Sequence, residues 1–503
     1  MNPTATQLQR ILWQPREGSI GAHWRAFSGS QRFLVLLFLL TLPLVNPWVH
    51  GDGVGYYAYV RSVLINHTLR FEEEWLAGNP TFVGGRVDHN GQLRADQYTS
   101  TGYVDNHFSV GPSMLWAPFL LVTHLIVLSV NRLGAHIPAD GFSRPYLVAM
   151  AVATACYGFA GLCLAFGLAR KYFEERWALL ATLGIWLASS LPVYMYFNPS
   201  WSHAHSAFAV SLFLWYWHRT RGDRTLAQWL VLGLLSGLML DVYYPNAVFL
   251  VVPLLESLRG CLRRCFEQHD AAAVRRLFEI QFVYTVAVIF GFLPTLITRQ
   301  IIYGSPFRFG AYTEMHWHWT SPALSAVLFS SNHGLLVWTP ILIPALLGLL
   351  FLRRQDPELA ISLAVAAVAF YAVISFYPNW DGLSSYGNRF FVSLTPLFIL
   401  GLAASLEHFS NLFDRKNLAF VAAVLVTGLF VLWNAGFVFQ WGTHMVPARG
   451  PISWPKMIHN QVAIVPGKMV RTLKMYLLAR GVLMQSIEQQ DLEELQQKNS
   501  GGD

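Results

Sequence analysis

Eleven apolar segments divide this chain, and most of them are long enough to cross a lipid bilayer as helices. A transmembrane helix needs about 20 predominantly apolar residues. The segments are 33–49, 146–169, 177–196, 205–218, 226–241, 246–258, 280–299, 334–352, 359–377, 390–406 and 417–438. With 54% hydrophobic and only 13% charged residues, the composition argues against a soluble domain. Because lipid offers no hydrogen-bond partner to an open backbone, the pattern predicts an all-α polytopic membrane protein.

A twelfth apolar stretch, 113–131, decides the topology. Lys and Arg accumulate in the cytoplasmic loops of membrane proteins, which places the dense basic cluster 259–276 inside. Alternation of the spans places further short basic connections on the same side: 170–176, 219–224, 353–354 and 415–416. The basic N-terminus joins them only if 113–131 does not cross. We therefore expect 50–145 to form one large external loop whose apolar stretch lies along or dips into the membrane. The alternative is a true twelfth span, with one of the short segments failing to cross.

This topology divides the chain into three parts. Residues 1–32 form a cytoplasmic N-terminus, and 33–438 form a bundle of about 11 to 12 transmembrane helices that includes the large first loop. Residues 439–503 form an external tail, in which 469–484 has the pattern of an amphipathic helix and the polar end is typical of disorder. The net charge of +7 is explained by the cytoplasmic connections and does not indicate a nucleic-acid partner.

Unusual polar residues collect in the external connections between the predicted spans. Ionisable groups are costly at membrane depth, so a set that converges on one face indicates a site. The set comprises His203, His205, Asp241, Tyr243, Arg308, His316, His318, His333, Asp381 and Arg389. Structural roles are the alternative: histidines can line the start of a helix, Asp241 can cap or bond a neighbouring helix, and Asp381 can belong to a turn.

Two charged residues stand out from this set by their positions. Asp52 comes directly after the first apolar segment, where a carboxylate at the membrane edge can act on a lipid-borne substrate. Arg389 opens an apolar run on the external side, where the charge rule disfavours it. An anionic partner such as phosphate would explain this arginine.

Several motifs in order along the chain resemble a known family. They are Asp52 with Tyr56-Tyr57 and Arg61-Ser62, the inside turn 169–181, and the external loop 192–206. Together they resemble the GT-C fold of membrane glycosyltransferases, over about residues 33–400. Within that fold the chain is most similar to the polyprenyl-phosphate-sugar-dependent branch related to protein O-mannosyltransferases and aminoarabinose transferases.

The resemblance implies a reaction and a place for it. A sugar on a polyprenyl-phosphate donor would be attacked by an acceptor hydroxyl on a glycan, lipid or protein, with Asp52 as the general base and with inversion. The donor phosphate and sugar are expected to contact Arg389, His203, His205, His333, Tyr243 and Asp381. The cavity is expected to be lined by Tyr56, Tyr57, Asp105, His107, Asp241 and Arg308. The expected location is a bacterial inner membrane, with the site on the periplasmic side.

The chain departs from the family pattern at a position that bears on metal dependence. Some relatives carry a second acidic motif in the next external loop, where this chain has Ser202-His203-Ala204-His205-Ser206. Asp52, His203 and His205 could therefore hold a divalent metal such as Mn, Mg or Zn. The histidines could equally bind phosphate directly.

Three other classes of membrane protein compete with this interpretation. A transporter or lipid flippase would need a passage lined from both sides or paired half-repeats, and neither pattern is visible here. A polysaccharide polymerase or ligase would be expected to depend on external arginines and a large late loop. A non-catalytic assembly or receptor protein would leave Asp52 and the histidines without a purpose.

Overall fold

The computed structural model describes residues 27–222, 224–263, 265 and 271–500. Helices dominate, and the described residues form no strand beyond two isolated bridges, Val87 with Leu93 and Tyr98 with Val104. The predicted all-α class is therefore confirmed. The chain divides into two compact units, Met1–Thr41 and Leu42–Asp503.

The described part of the first unit is one helix, α1 (Gly29–Thr41). Ser28 and Gln31 begin it with reciprocal bonds: the Gln31 N–H donates to Ser28 Oγ at 3.3 Å, and the Ser28 N–H donates to Gln31 Oε1 at 2.9 Å. This capping box satisfies backbone donors that the first turn leaves free. Most of the predicted cytoplasmic N-terminus, 1–26, lies outside the described residues.

The second unit opens with the large loop that follows the first apolar segment. Its helices are α2 (Asp52–Arg61), α3 (Glu72–Leu76), α4 (Pro80–Val83) and α5 (Gly111–Arg132). The first three share a small core that includes Val54, Ala58, Tyr59, Phe71, Trp75 and Phe82, together with Val104 from the segment before α5. At the end of α2, buried Arg61 donates to Glu74 at 2.9 Å. The loop is thus a folded element that packs around α2.

The start of α5 and the segment after its end both contact α2. Near the start of α5, Ser113 Oγ donates to the Tyr56 carbonyl at 2.5 Å. Beyond its end, the Gly141 carbonyl accepts from the Tyr57 hydroxyl at 2.7 Å. The stretch 113–131 lies within one continuous helix. The chain contacts α2 both at the start of this helix and after its end.

The remaining helices of the second unit complete the architecture. They are α6 (Arg144–Ala169), α7 (Glu175–Leu187), α8 (His203–Thr220), α9 (Leu226–Val242), α10 (Val251–Leu262), α11 (Ala271–Gly291), α12 (Leu293–Tyr303), α13 (Ala311–Glu314), α14 (Leu324–Phe329), α15 (Leu335–Trp338), α16 (Leu342–Leu352), α17 (Pro357–Phe376), α18 (Thr395–Ser410), α19 (Lys416–Gly442), α20 (Trp454–His459), α21 (Val465–Leu478) and α22 (Arg480–Ser500).

Fewer helices pass a strict length test for membrane spans than the sequence predicts. Among the described residues, six are long and apolar enough to cross a bilayer, or seven if α11 and α12 form one span bent by 49°. The six are Gly111–Arg132, Arg144–Ala169, Tyr244–Leu262, Pro357–Phe376, Arg389–Ser410 and Lys416–Gly442. Other predicted spans are shorter helices, such as α7 with 13 residues and α16 with 11.

Proline accounts for much of this shortening. A proline removes a backbone donor and clashes with the preceding turn, so it ends or bends a helix. The predicted span 334–352 is split at Pro340 into α15 and α16. The predicted span 280–299 bends between α11 and α12, where Pro294 opens the second helix.

Glycines allow the closest helix contacts of the bundle. A Cβ on Gly401 of α18 would lie 1.9 Å from the Ala345 carbonyl oxygen of α16. A Cβ on Gly237 of α9 would lie 2.4 Å from the Gly291 carbonyl carbon of α11. Small residues let helix backbones approach closely where lipid provides no hydrophobic driving force. These two crossings therefore depend on glycine.

The C-terminal tail differs from its prediction. The sequence predicts an amphipathic helix over 469–484 and, over 485–503, a helix end that runs into disorder. The structure has two helices with a break at Ala479, and α22 continues to Ser500. Contacts made by α22 explain its order, since Glu488 accepts hydrogen bonds from Asn79 and from the Thr81 N–H. A polar composition alone did not reveal these long-range partners.

Candidate active site

Asp52 is the first residue of α2, and its neighbours hold it in place. Gly51, directly before it, has φ 53°, a conformation that glycine adopts without steric cost. The Gly51 N–H donates to Asn79 Oδ1 at 3.0 Å, and the Trp201 indole N–H donates to the His50 carbonyl at 3.1 Å. The turn that presents Asp52 is thus fixed from two distant parts of the chain.

Arg389 forms an ion pair with Asp52. Its Nη1 lies 2.8 Å from Asp52 Oδ2, and the two side chains are 11% and 34% exposed. The guanidinium also lies 4.4 Å from the ring centroid of Trp201, a cation–π distance. Two charges that the sequence places 337 positions apart (389 − 52) therefore meet. Their partial exposure leaves them accessible to a ligand.

The ion pair lines a cavity of about 690 Å³. Polar groups around the pair include His50, Asn198 and Arg86. Much of the remaining lining is apolar and includes residues of α19, α21 and α22, for example Val431, Val438, Phe439, Leu473, Leu483 and Ile487. The cavity therefore combines charged groups with a large apolar wall.

Arg86 is a cavity residue that the sequence analysis missed. Its Nη1 donates to the Phe82 carbonyl at 2.6 Å, and its guanidinium lies 3.9 Å from the Phe82 ring centroid. Burial lowers the pKa of Arg86, and the charge of nearby Asp52 opposes that shift. The signal in the sequence was weak, because Arg86 is one of six arginines in the predicted external loop 50–145.

Trp201 is a second missed residue. It lies beneath the Arg389 guanidinium and against Gly51, where a Cβ would be 3.4 Å from its ring. It belongs to the loop 192–206 that carries the family resemblance. Its position two residues before His203 was the only available signal.

The two histidines of α8 do not converge with Asp52 on one metal. Residues two apart on a helix point about 200° away from each other. His203 packs edge-on against Tyr194 at 4.7 Å and Tyr243 at 5.6 Å, whereas His205 packs against Trp116 at 5.1 Å. Within the described ranges, no group of three His, Cys, Asp or Glu residues could hold a metal ion. The predicted set of Asp52, His203 and His205 therefore does not fit a divalent metal.

Two other predicted donor-binding residues are engaged elsewhere. His333 is buried and stacked on Trp338 at 4.6 Å, and burial lowers its pKa to about 4. It is therefore neutral at pH 7 and brings no positive charge to a phosphate. Asp381 accepts from Asn332 Nδ2 at 2.8 Å and from the Leu383 N–H at 3.1 Å. The residues that follow Asp381, 382–384, line the cavity instead.

The predicted cavity-lining residues divide into near and distant groups. Tyr56 lies close to the ion pair, and its hydroxyl accepts from Ser202 Oγ at 3.0 Å. His107 stacks on the cavity residue Phe108 at 4.3 Å. Asp105 accepts a hydrogen bond from the Tyr303 hydroxyl.

Three predicted lining residues have structural roles. Asp241 is fully buried and accepts from Thr295 Oγ1 at 2.5 Å, so it caps the first turn of α12. Tyr57 is buried on the other side of α2, where it faces a second cavity. Arg308 is paired with Glu314 at 2.5 Å in an exposed loop. A capping role was one of the two alternatives for Asp241, and its bonds to Thr295 favour that role.

Fold and site together define a helical membrane protein with an ion pair beside an apolar cavity. Against known proteins, no family model and no curated sequence matches the chain. Three solved structures show a likeness in fold. The first is the Archaeoglobus fulgidus oligosaccharyltransferase in complex with Zn and sulfate, with TM-score 0.49, 15% identity, and coverage of 84% of this chain and 58% of that one.

The second is AglB from the same organism in complex with an inhibitory peptide and a dolichol-phosphate, with TM-score 0.46, 13% identity, and coverage of 94% and 56%. The third is ArnT from Cupriavidus metallidurans bound to undecaprenyl phosphate, with TM-score 0.42, 14% identity, and coverage of 92% and 79%. The chain thus spans less than two thirds of the length of the first two.

These neighbours are GT-C membrane glycosyltransferases, the class that the sequence resembles. All three identities are 15% or lower, and the likeness is one of fold.

Proposed function

We propose that this chain is a membrane glycosyltransferase that moves a sugar from a polyprenyl-phosphate donor to an acceptor hydroxyl. One observation carries the proposal: the Asp52–Arg389 pair at 2.8 Å lines a cavity whose other walls are largely apolar. A polyprenyl-phosphate sugar has the matching chemistry, with an anionic phosphate, a hydroxylated ring and a hydrocarbon chain. The acceptor is a glycan, lipid or protein, and the site lies on the periplasmic face of a bacterial inner membrane.

Asp52 acts as the general base in this proposal. The acceptor hydroxyl gives its proton to the Asp52 carboxylate while its oxygen attacks the anomeric carbon of the donor sugar. The bond from that carbon to the phosphate oxygen breaks, and polyprenyl phosphate leaves with the electron pair. One displacement inverts the anomeric configuration, and it needs no second carboxylate as nucleophile.

Two of the arginines that line the cavity, Arg389 and Arg86, stabilise the leaving phosphate. Arg389 can bind phosphate through its planar fork of N–H donors, and its buried Nε has no hydrogen-bond partner among the described residues. A phosphate that bonds this guanidinium competes with Asp52 for it and leaves the carboxylate available to the acceptor. Arg86 adds a second positive charge from the facing loop.

A polar network on the predicted cytoplasmic side favours a transferase over a transporter. In the predicted topology the residues opposite the cavity include Tyr172, Arg221 and Asp356. The Tyr172 hydroxyl donates to Asp356 at 2.6 Å, and Arg221 is ion-paired with the same carboxylate. Side chains that bond one another in this way form a structural link, which favours packing over the lining of a passage.

Donor turnover by purified protein in nanodiscs tests the proposal. The probes are undecaprenyl phosphates that carry tritiated glucose, mannose, galactose or 4-amino-4-deoxyarabinose, with a crude envelope extract as acceptor. We expect release of undecaprenyl phosphate and label in the acceptor fraction, and the reaction should persist in EDTA because the arginines supply the positive charge. Movement of intact donor between leaflets of a vesicle, without label transfer, would identify a transporter instead.

A further inference from the structure

A buried relay connects the C-terminal helix α22 to the turn that carries Asp52. Glu488 of α22 is 8% exposed. Its Oε1 accepts from Asn79 Nδ2 at 3.0 Å and from the Thr81 N–H at 2.9 Å, and its Oε2 accepts from Asn79 Nδ2 at 3.2 Å. Asn79 in turn accepts from the Gly51 N–H through Oδ1 at 3.0 Å. Hydrogen bonds thus connect Glu488 through Asn79 to Gly51, the residue directly before Asp52.

The polarity of this relay is set by Glu488. An ionised carboxylate only accepts hydrogen bonds, whereas an asparagine amide has one accepting and one donating end. Because Glu488 accepts on its side, Asn79 must present its NH₂ group there. The Asn79 oxygen is then left facing the Gly51 N–H. A residue at 488 that donated instead would favour the flipped amide and break the bond to Gly51.

We infer that Glu488 is a positioning residue for Asp52, acting through Asn79 and Gly51. The inference rests on the proposed function, since it concerns the candidate base of that reaction. Glu488 does not line the Asp52 cavity but faces a second cavity on the other side of Asn79. It therefore has no direct contact with the reacting groups, and its effect passes through the orientation of the turn.

The anchoring of α22 supports this role. Tyr476, at the end of α21, donates from its hydroxyl to the Leu44 carbonyl at 2.7 Å. Arg480 bonds the Pro43 carbonyl at 2.6 Å and the Val45 carbonyl. The C-terminal tail therefore bonds residues 43–45, which lead toward Asp52 in the sequence, and this holds α22 in place beside them. Within this tail, Glu488 is the residue that bonds Asn79, which in turn accepts from the Gly51 N–H next to Asp52.

A reciprocal exchange of side chains tests the polarity of the relay. Glu488→Gln should place a donor against Asn79, and Asn79→Asp should place two carboxylates together. The double variant Asn79→Asp with Glu488→Gln keeps the net charge and rebuilds both bonds. Its introduced carboxylate accepts from the Gly51 N–H, and its introduced amide donates to that carboxylate while accepting from the Thr81 N–H. The matched control is Glu493→Gln, an exposed glutamate on the same helix.

Two readouts are needed, and only one of them depends on activity. The first is the steady-state rate of undecaprenyl phosphate release from the donor panel, separated into kcat and the donor KM. We expect each single variant to lower kcat on the order of tenfold with little change in KM, and the double variant to restore it. The second is hydrogen exchange of the peptide containing Gly51, which should accelerate in each single variant and slow again in the double variant.

The outcomes separate this inference from the proposed function. Single variants that leave both readouts at the control level would overturn the relay. Loss of kcat that the double variant does not restore would also overturn it, because a general structural defect is not repaired by reversing a hydrogen bond. If hydrogen exchange at Gly51 rises and falls across the variants as expected while Asp52→Asn retains full turnover, the relay holds and the proposed role of Asp52 fails.

Discussion

Asp52 and Arg389 are far apart in the sequence and form one ion pair in the structure. Each was singled out by its position relative to the membrane, and the structure pairs them at 2.8 Å beside Trp201. The pairing explains why an arginine is retained where the charge rule disfavours one. In the proposed function, the pairing places the carboxylate and the phosphate-binding guanidinium within reach of one ligand.

Replacing Arg389 should weaken donor use selectively. Arg389→Ala removes the guanidinium fork, and we expect the donor KM to rise roughly thirtyfold, equivalent to about 2 kcal/mol for a charged hydrogen bond. Arg389→Lys should recover only part of this, because an ammonium cannot bind phosphate in the same fork geometry. The measurement is a titration of undecaprenyl phosphate release against donor concentration.

Arg308→Ala is the matched control, since Arg308 is also a basic loop residue but is exposed and paired with Glu314. An unchanged donor dependence in Arg389→Ala, with normal folding, would remove Arg389 from the donor site.

The helices that frame the site depend on close glycine contacts. Gly401 on α18 approaches the Ala345 carbonyl so closely that a Cβ would overlap it. The Arg389–Leu394 turn leads directly into α18, so displacement of this helix would also move the arginine. Packing of α18 on α16 thus links helix stability to the geometry of the ion pair.

Gly401→Ala should destabilise the bundle. The added methyl has no space, and overpacking of this kind costs about 1–3 kcal/mol. Gly428→Ala is the comparison, because no atom lies within 4 Å of a Cβ at that position of α19. Removal of a helical glycine there should be neutral or stabilise by up to about 1 kcal/mol. Thermal unfolding in nanodiscs measures both, and an equal Tm for the two variants would contradict the close packing of α16 and α18.

For the chain as a whole, sequence reasoning succeeded where charge and hydropathy carry the signal. Apolar segments revealed the helical membrane class, and the charge rule drew attention to Asp52 and Arg389. Residues that act through distant contacts were not visible in this way. Glu488 sits in a polar tail that resembles disorder, yet its partner Asn79 lies 409 positions away. His203 and His205 were grouped by adjacency, although the helix turns them apart.

The side of the membrane on which the first loop lies is a prediction for the whole chain. In the structure Thr99 Oγ1 donates to the Ile302 carbonyl at 2.7 Å, so this loop contacts the end of α12. Single cysteines at Asn90 and Ser321, in a background without the four native cysteines, should therefore both react with an impermeant maleimide on spheroplasts. A cysteine at Arg353 should react only after permeabilisation. Labelling of Asn90→Cys and Ser321→Cys from opposite sides would show that 113–131 crosses the membrane.

The decisive measurement is the turnover of polyprenyl-phosphate sugars by Asp52→Asn. Asparagine keeps the shape of the side chain but cannot take up the acceptor proton, so release of undecaprenyl phosphate should fall by roughly a hundredfold to ten-thousandfold. Donor binding should persist, and Asp96→Asn, at an exposed position in the same loop, should retain full activity. A folded Asp52→Asn protein that turned over donor at the wild-type rate would show that Asp52 is not the base.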